Sequence, residues 1–108
     1  MPARLDLLLL GIGADGHTAS IFPGSDALDA ADPVVRATAP VEPTERLTIT
    51  PHVIAAARLV VVLARGETKA PALRAALAAE GDPRSCPARL ARKGIWILGR
   101  DAADELRT

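Results

Sequence analysis

The chain has 108 residues, of which 49% are hydrophobic and 24% are charged, a composition that supports a packed core and excludes wholesale disorder. Thirteen basic residues balance thirteen acidic ones, so neither a nucleic acid nor an anionic membrane is an expected partner. Only Phe22 and Trp96 are aromatic, which leaves few stacking platforms for bases.

The first predicted elements are a strand, a glycine-rich loop and a helix. The apolar run at 5–10 is short and ends at glycines, which predicts a strand buried on both faces. A helix is expected at 15–21, stopped by Pro23 and Gly24. The next predicted elements are one helical turn within 26–33 and short strands at 34–39 and 47–49.

The second half of the sequence alternates helices and strands. Thr50 and Pro51 suit the N-cap and first position of a helix that ends near residue 57. Leucine and valine dominate 58–64, which predicts a strand. Thr68 is predicted to cap a helix over 69–79. The remaining predicted elements are a short helix over 87–92, a strand over 95–98 and a helical turn over 101–107.

Strands that alternate with helices predict the α/β class, with a partial Rossmann-like, mostly parallel sheet flanked by helices. No linker divides residues 1–108, so a single structural unit is expected. The single cysteine, Cys86, precludes an intramolecular disulfide and fits a reducing compartment. Nothing resembles a signal peptide or a membrane-spanning segment, and we therefore expect a cytoplasmic protein.

Residues 11–20 read GIGADGHTAS and carry most of the chemistry. The pattern G-x-G-x-x-G after a strand is typical of dinucleotide-binding loops, but Asp15 within it would repel a pyrophosphate. The acidic residues that follow, Asp29 and Asp32, lie closer than the usual ribose ligand. We therefore expect no dinucleotide cofactor.

Asp15 and His17 suit acid–base chemistry instead. An imidazole can remove a proton from water at neutral pH, and a neighbouring carboxylate can fix its tautomer. Backbone amides around Gly13 and Gly16 could receive an anion or a developing oxyanion. The simpler alternative is that Asp15 caps a helix and that His17 is a solvated residue in its first turn.

Other candidate groups are weaker. Cys86 is expected to be an inert thiol, and Ser20 lacks the G-x-S-x-G elbow of a serine hydrolase. The two histidines, His17 and His52, lack the spacing of metal ligands, so no metal is expected. His52 is placed in the first turn of its helix, either as a structural residue or facing the site.

Residues 7–24, which read LLLLGIGADGHTASIFPG, resemble the signature of the 6-phosphogluconolactonase family, within the glucosamine-6-phosphate isomerase/deaminase group. The deaminase branch carries a glutamate five residues after the histidine, where this chain has Phe22, which cannot relay a proton. The resemblance continues in the same order at 46–50 (RLTIT), 66–70 (GETKA), 87–88, 96–98 and 101–103.

The resemblance implies hydrolysis of 6-phospho-D-glucono-1,5-lactone to 6-phosphogluconate, in the pentose phosphate pathway and without a cofactor. On this basis His17 is predicted to be the general base that activates water, with Asp15 orienting its ring. A non-catalytic phosphosugar-binding module and a glucosamine-6-phosphate deaminase-like isomerase are the alternatives.

For the phosphate of the substrate, the resemblance points to Lys69, with Arg46 as a second candidate. Lys69 lies at the start of a predicted helix, where a lysine combines its own charge with free backbone amides. The alternative for each cation is a solvated surface residue. Gly13 and Gly16 complete the predicted substrate-binding set.

The resemblance also implies that residues 1–108 correspond to the C-terminal half of the family's domain. The N-terminal half, which supplies a phosphate loop and further substrate contacts in the family, is expected to be absent. We therefore expect the chain to fold with an incomplete sheet and to lack turnover by itself. Its expected partners are a phosphosugar lactone and either the missing half or a second copy.

Overall fold

The computed structural model describes residues 4–107. Its strands are β1 (Leu7–Leu10), β2 (Val34–Thr38), β3 (Glu45–Ile49), β4 (Leu59–Ala64) and β5 (Ile95–Leu98). Its α-helices are α1 (Pro51–Ala56), α2 (Ala70–Leu77) and α3 (Arg100–Ala103). Shorter 3-10 helices occupy Asp26–Asp29, Glu67–Lys69, Pro87–Ala91 and Asp104–Arg107. No helix among these described residues is long and apolar enough to cross a membrane.

Three strands form a parallel sheet in the order β1-β4-β5, with Leu7 opposite Leu59 and Val61 opposite Ile95. The β-branched, apolar run in β4 suits the central strand, which is paired on both edges. The other two strands, β2 and β3, pair antiparallel as a separate two-stranded sheet. The predicted α/β class with a mostly parallel sheet is confirmed.

One face of the parallel sheet is packed against the rest of the chain. Leu8, Leu10 and Val62 are 8%, 6% and 1% exposed, and they lie in one apolar cluster with Ile21 and Ile54. A second cluster joins the carboxyl end of the same face to α2. Side chains alternate across a strand, so this face comprises the even-numbered residues of each strand.

The expectation that the first strand is buried on both faces is wrong for the described chain. Leu7 and Leu9 point to the opposite face of the sheet and are 58% and 59% exposed. The sequence is apolar at every position of β1, but the described helices all pack on the other side.

The helix predicted at 15–21 is also wrong. These residues form turns, with an isolated bridge between Thr18 and Ile21. Positive φ angles of 90° at Gly16 and 52° at Ala19 interrupt any helical run. The Thr18 hydroxyl instead donates to the carbonyl of Gly11 at 2.8 Å, which ties the turn back to the end of β1.

At two helix starts, the threonine predicted to cap the helix does not do so. α1 begins at Pro51 as predicted, but the Thr50 hydroxyl donates to the carbonyl of Asp32 at 2.6 Å instead of capping the helix. Thr68 caps no helix, because α2 begins at Ala70 after a 3-10 turn, and its N-cap position is Lys69.

Candidate active site

A tight glycine loop follows the carboxyl end of β1. The N–H of Gly13 donates to the carbonyl of His17, and the N–H of Gly16 donates to the carbonyl of Gly13, each at 2.9 Å. Gly16 adopts a φ of 90°, and its carbonyl accepts from the N–H of Ala88 at 2.8 Å. The amides of Gly13 and Gly16 are thus engaged inside the loop, and these two glycines shape the backbone instead of presenting free N–H groups.

Asp15 and His17 form a pair within this loop. One oxygen of Asp15, Oδ1, accepts from the backbone N–H of His17 at 3.0 Å and lies 2.5 Å from Nδ1 of the ring. A carboxylate can only accept, so this contact puts a proton on Nδ1 and leaves Nε2 to face other groups.

The surroundings of Asp15 favour its ionised form. Burial raises the pKa of the Asp15 carboxyl, but the hydrogen bonds and the charge of His17 outweigh burial, and the net pKa is below its ordinary value. The side chains of the pair are partly exposed, 42% for Asp15 and 30% for His17. The pair therefore lies at the surface of a cleft with an anionic partner behind the imidazole.

Gly13 leaves room for the His17 ring. A Cβ atom at position 13 would lie 2.1 Å from both Cε1 and Nδ1 of His17, which is far inside van der Waals contact. The imidazole therefore packs directly against bare backbone, and only glycine permits this approach. Gly16 is constrained in a second way, since a Cβ there would lie 3.0 Å from the buried Sγ of Cys86.

Phe22 packs against the His17 ring from another side. The two ring centroids are 4.4 Å apart with the planes inclined at 36°, and Phe22 is only 6% exposed. Arg46 lies beyond it, with its guanidinium carbon 5.8 Å from the Phe22 centroid and its Nε–H donated to the carbonyl of Pro43 at 2.8 Å. In the sequence, Phe22 stands where the deaminase branch has a glutamate, and that pattern does not predict its contact with His17.

Lys69 reaches the glycine loop from the turn that precedes α2. Its ammonium group donates to the carbonyl of Ile12, 57 positions away in sequence. His17, Gly13 and Lys69 line one cleft of about 330 Å³ at the carboxyl end of β1. The other residues that line this cleft are Leu9, Leu10, Gly11, Ile12 and Ala19.

The remaining candidates do not themselves line this cleft. Asp15 and Phe22 line a neighbouring cleft of about 410 Å³, and Arg46 lines a third, beside the β2–β3 pair. His52 is exposed in the first turn of α1. Cys86 is 6% exposed, and burial raises the pKa of its thiol, which disfavours the reactive thiolate.

Two observations bear on other chemistry. Within residues 4–107, no three His, Cys, Asp or Glu side chains are grouped so that they could hold a metal ion. A larger cleft of about 560 Å³ lies at the amino ends of β4 and β5, but no carboxylate, histidine, hydroxyl or thiol side chain lines it. One of its cations, Arg89, donates to the carbonyls of Ala75 and Ala78. The pairing of an imidazole with a carboxylate makes the smaller cleft the better catalytic candidate.

The fold places the chain among α/β proteins with a parallel sheet. A solved 6-phosphogluconolactonase from Trypanosoma brucei superposes with a TM-score of 0.81 at 37% identity, over 95% of this chain and 43% of that one. A monomeric glucosamine-6-phosphate deaminase of the NagB superfamily, at 23% identity and a TM-score of 0.77, shares the fold.

Sequence comparison gives the family. The family model described as glucosamine-6-phosphate isomerases/6-phosphogluconolactonase matches residues 1–97, and the chain belongs to this family. A 6-phosphogluconolactonase from Synechocystis is 42% identical over 105 residues, which cover 94% of this chain and 43% of that protein. The human 6-phosphogluconolactonase is 38% identical over 104 residues, which cover 91% of this chain and 40% of that protein. The chain therefore spans about two fifths of the length of these relatives.

Proposed function

We propose that this chain forms part of a 6-phosphogluconolactonase, which hydrolyses 6-phospho-D-glucono-1,5-lactone to 6-phosphogluconate. The observation that carries the proposal is the pair of Asp15 and His17 on the glycine loop, with Lys69 in the same cleft as the imidazole. The relatives that match most of the chain are named for this activity.

In the proposed mechanism, Nε2 of His17 removes a proton from a water molecule as the water oxygen attacks the lactone carbonyl carbon. The new carbon–oxygen bond gives a tetrahedral oxyanion. When that oxyanion collapses, the ring ester bond breaks and the imidazolium returns the proton to the departing ring oxygen. Asp15 holds Nδ1–H and stabilises the imidazolium between the two proton transfers.

Lys69 is the proposed ligand of the substrate phosphate. An ammonium group has three N–H donors, and one of them is taken by the carbonyl of Ile12. The other two can bind phosphate oxygens at the mouth of the cleft. Arg46, which lies over the Phe22 ring, is the second candidate for binding the phosphate. Gly13 and Gly16 set the shape of the loop on which the substrate is proposed to bind.

We further propose that residues 1–108 are one structural unit that corresponds to the C-terminal half of the family's domain. Its proposed small-molecule partner is the phosphosugar lactone, not a nucleic acid or a membrane, in keeping with the balanced charge. The single buried thiol of Cys86 fits a reducing compartment, and we propose the cytoplasm as the location.

A non-catalytic phosphosugar-binding module is the second candidate, favoured by the two-fifths coverage of the relatives. A deaminase-like isomerase is the third, but the Phe22 ring against His17 provides no carboxylate for proton transfer.

One experiment separates the three candidates. The chain, alone and with the rest of a relative supplied, is assayed for lactone hydrolysis above the spontaneous rate and for deamination of glucosamine 6-phosphate. Binding of 6-phosphogluconate is measured by calorimetry on the same samples. With the rest of a relative supplied we expect lactone hydrolysis without deamination, and we expect the chain alone to lack turnover. Binding without either reaction would favour the binding module, and deamination would overturn the proposal.

A further inference from the structure

The side chain of His17 is tied to Asp15 through one ring atom. Oδ1 of Asp15 contacts Nδ1, and a single contact of this kind leaves the plane of the imidazole free to swing about it. His17 lies in a loop, outside any helix or strand, and its side chain is 30% exposed. A change of rotamer would carry Nε2 away from the cleft that His17 shares with Lys69. The orientation of the ring therefore depends on what packs against it.

Phe22 gives the imidazole a rigid surface to pack against. The two ring centroids are 4.4 Å apart, and Phe22 is itself only 6% exposed, so its own rotation is restricted. Aromatic rings in contact attract each other beyond the effect of burial alone. The imidazole also packs on the backbone at Gly13. Contacts with Phe22 and Gly13 together leave the ring little room to turn.

Strand β3 in turn holds Phe22. Arg46 and Thr48 are two positions apart on this strand and so lie on the same face. The Thr48 hydroxyl, on a side chain that is 4% exposed, accepts from the N–H of Ser20 at 3.1 Å and fixes the turn that leads to Phe22. Arg46 lies over the Phe22 ring, with its guanidinium carbon 5.8 Å from the centroid. The position of Phe22 is thus set by tertiary contacts as well as by its own burial.

We propose that Phe22 is a positioning residue, which holds the imidazole of His17 against Asp15 so that Nδ1 keeps its proton and Nε2 faces the cleft. The effect on turnover rests on the proposed function, whereas the holding of the ring does not. A phenyl ring has no proton to transfer, so its contribution is to orientation alone. Misplacing a catalytic group by about 1 Å can cost on the order of 100-fold in rate.

The test follows the tautomer of His17 by nitrogen NMR of the isotope-labelled chain at about pH 9, where an ordinary imidazole is neutral. The hydrogen bond of one ring nitrogen decides which nitrogen carries the proton, so a ring that leaves Asp15 is no longer held in the Nδ1–H form. Phe22→Leu removes the aromatic face. Phe22→Tyr keeps it, and the cleft of about 410 Å³ that Phe22 lines has space for the hydroxyl. His52, exposed on α1, is an internal control in the same spectrum.

Two further variants separate positioning from a loss of core volume. Ile54→Val removes a methyl group from a side chain that is 3% exposed and lines the cleft at the amino ends of β4 and β5, away from His17. Thr48→Val leaves the Phe22 ring in place but removes the acceptor of the Ser20 N–H. If Phe22→Leu does not fold, Thr48→Val decides, and a shift of the tautomer in the same direction is expected.

We expect the parent and Ile54→Val to keep the proton on Nδ1, and Phe22→Leu to give a mixture of the two tautomers that Phe22→Tyr largely reverses. In the form of the protein that turns over, Phe22→Leu should lower kcat by about tenfold and change KM for the lactone by less than about twofold. Phe22→Tyr should recover most of the lost kcat.

An unchanged tautomer in Phe22→Leu would overturn the inference, as would an equal shift in Ile54→Val, which would reduce the role of Phe22 to stability of the core. A shift of the tautomer with no change in kcat would overturn it too. A shift of the tautomer in a protein that lacks turnover in every variant, the parent included, would support the positioning of the ring and count against the proposed function alone.

Discussion

Gly13 is the residue whose side chain, or lack of one, controls the position of His17. In Gly13→Ala the new Cβ would overlap the imidazole, which must move out of its place against Phe22. We expect NMR contacts between the His17 and Phe22 rings to be lost. Gly11→Ala is the matched control, because a Cβ at Gly11 would meet nothing within 4 Å. Ring contacts that persist in Gly13→Ala would contradict the packing described here.

The lowered pKa of Asp15 predicts that the stability of the folded chain depends on pH. Its pKa in the folded chain is below its ordinary value of 3.8, so its ionised form stabilises the fold. This contribution is complete above about pH 5 and is lost as the pH falls through the folded pKa, below 3.8.

Thermal unfolding of the parent and Asp15→Asn from pH 2.5 to 7 measures this. The parent should have the higher melting temperature at pH 6, and the difference should vanish at the acid end. Asp32→Asn, at an exposed side chain, is the control for loss of a carboxylate. A difference that is constant over the whole range would show that ionisation of Asp15 does not stabilise the fold.

The sequence predicted some contacts between individual residues of the candidate site and not others. Asp15 and His17 are two positions apart, so their proximity could be read from the motif. The contact of Phe22 with His17 depends on the turn at 18–21, and the contact of Lys69 with Ile12 depends on how two strands pair. Neither contact can be read from the pattern of residues near it in the sequence.

Among the elements, the segment that leads into α2 carries the predicted phosphate ligand. Lys69 follows a turn at Gly66 and is placed beside the glycine loop because β1 and β4 pair in parallel. In the form of the protein that turns over, Lys69→Met should raise KM for the lactone by roughly 10- to 100-fold. Lys93→Met is the matched control, because Lys93 is the other lysine and is exposed.

The comparison substrate sharpens that test. Unphosphorylated glucono-1,5-lactone should be hydrolysed equally by the parent and Lys69→Met, since it lacks the group that Lys69 is proposed to bind. A loss of activity toward both lactones would show that Lys69 acts through the loop at Ile12 and not through the phosphate.

Strand positions were predictable because apolar, β-branched runs have few alternatives, as in β4 and β5. The turns at 15–21, where a helix was expected, were not predictable. Gly16 and Ala19 adopt positive φ angles there, and contacts with distant parts of the chain hold this loop. The carbonyl of Gly16 accepts from Ala88, a residue far along the chain.

For the whole molecule, the α/β class followed from the alternation of elements, and the parallel order β1-β4-β5 agrees with it. Which face of the sheet is covered did not follow, since β1 is apolar at every position and pattern cannot distinguish its two sides.

His17 is proposed to be the base of a lactone hydrolysis. The most direct measurement is the rate of 6-phosphogluconolactone hydrolysis, above the spontaneous rate, by the chain supplied with the rest of a relative, compared with His17→Gln and His52→Gln. His52 is exposed on α1 and serves as the matched control. We predict that His17→Gln lowers turnover by about 10² to 10⁴-fold while His52→Gln leaves it unchanged. Turnover that survives in folded His17→Gln would show that His17 is not the base.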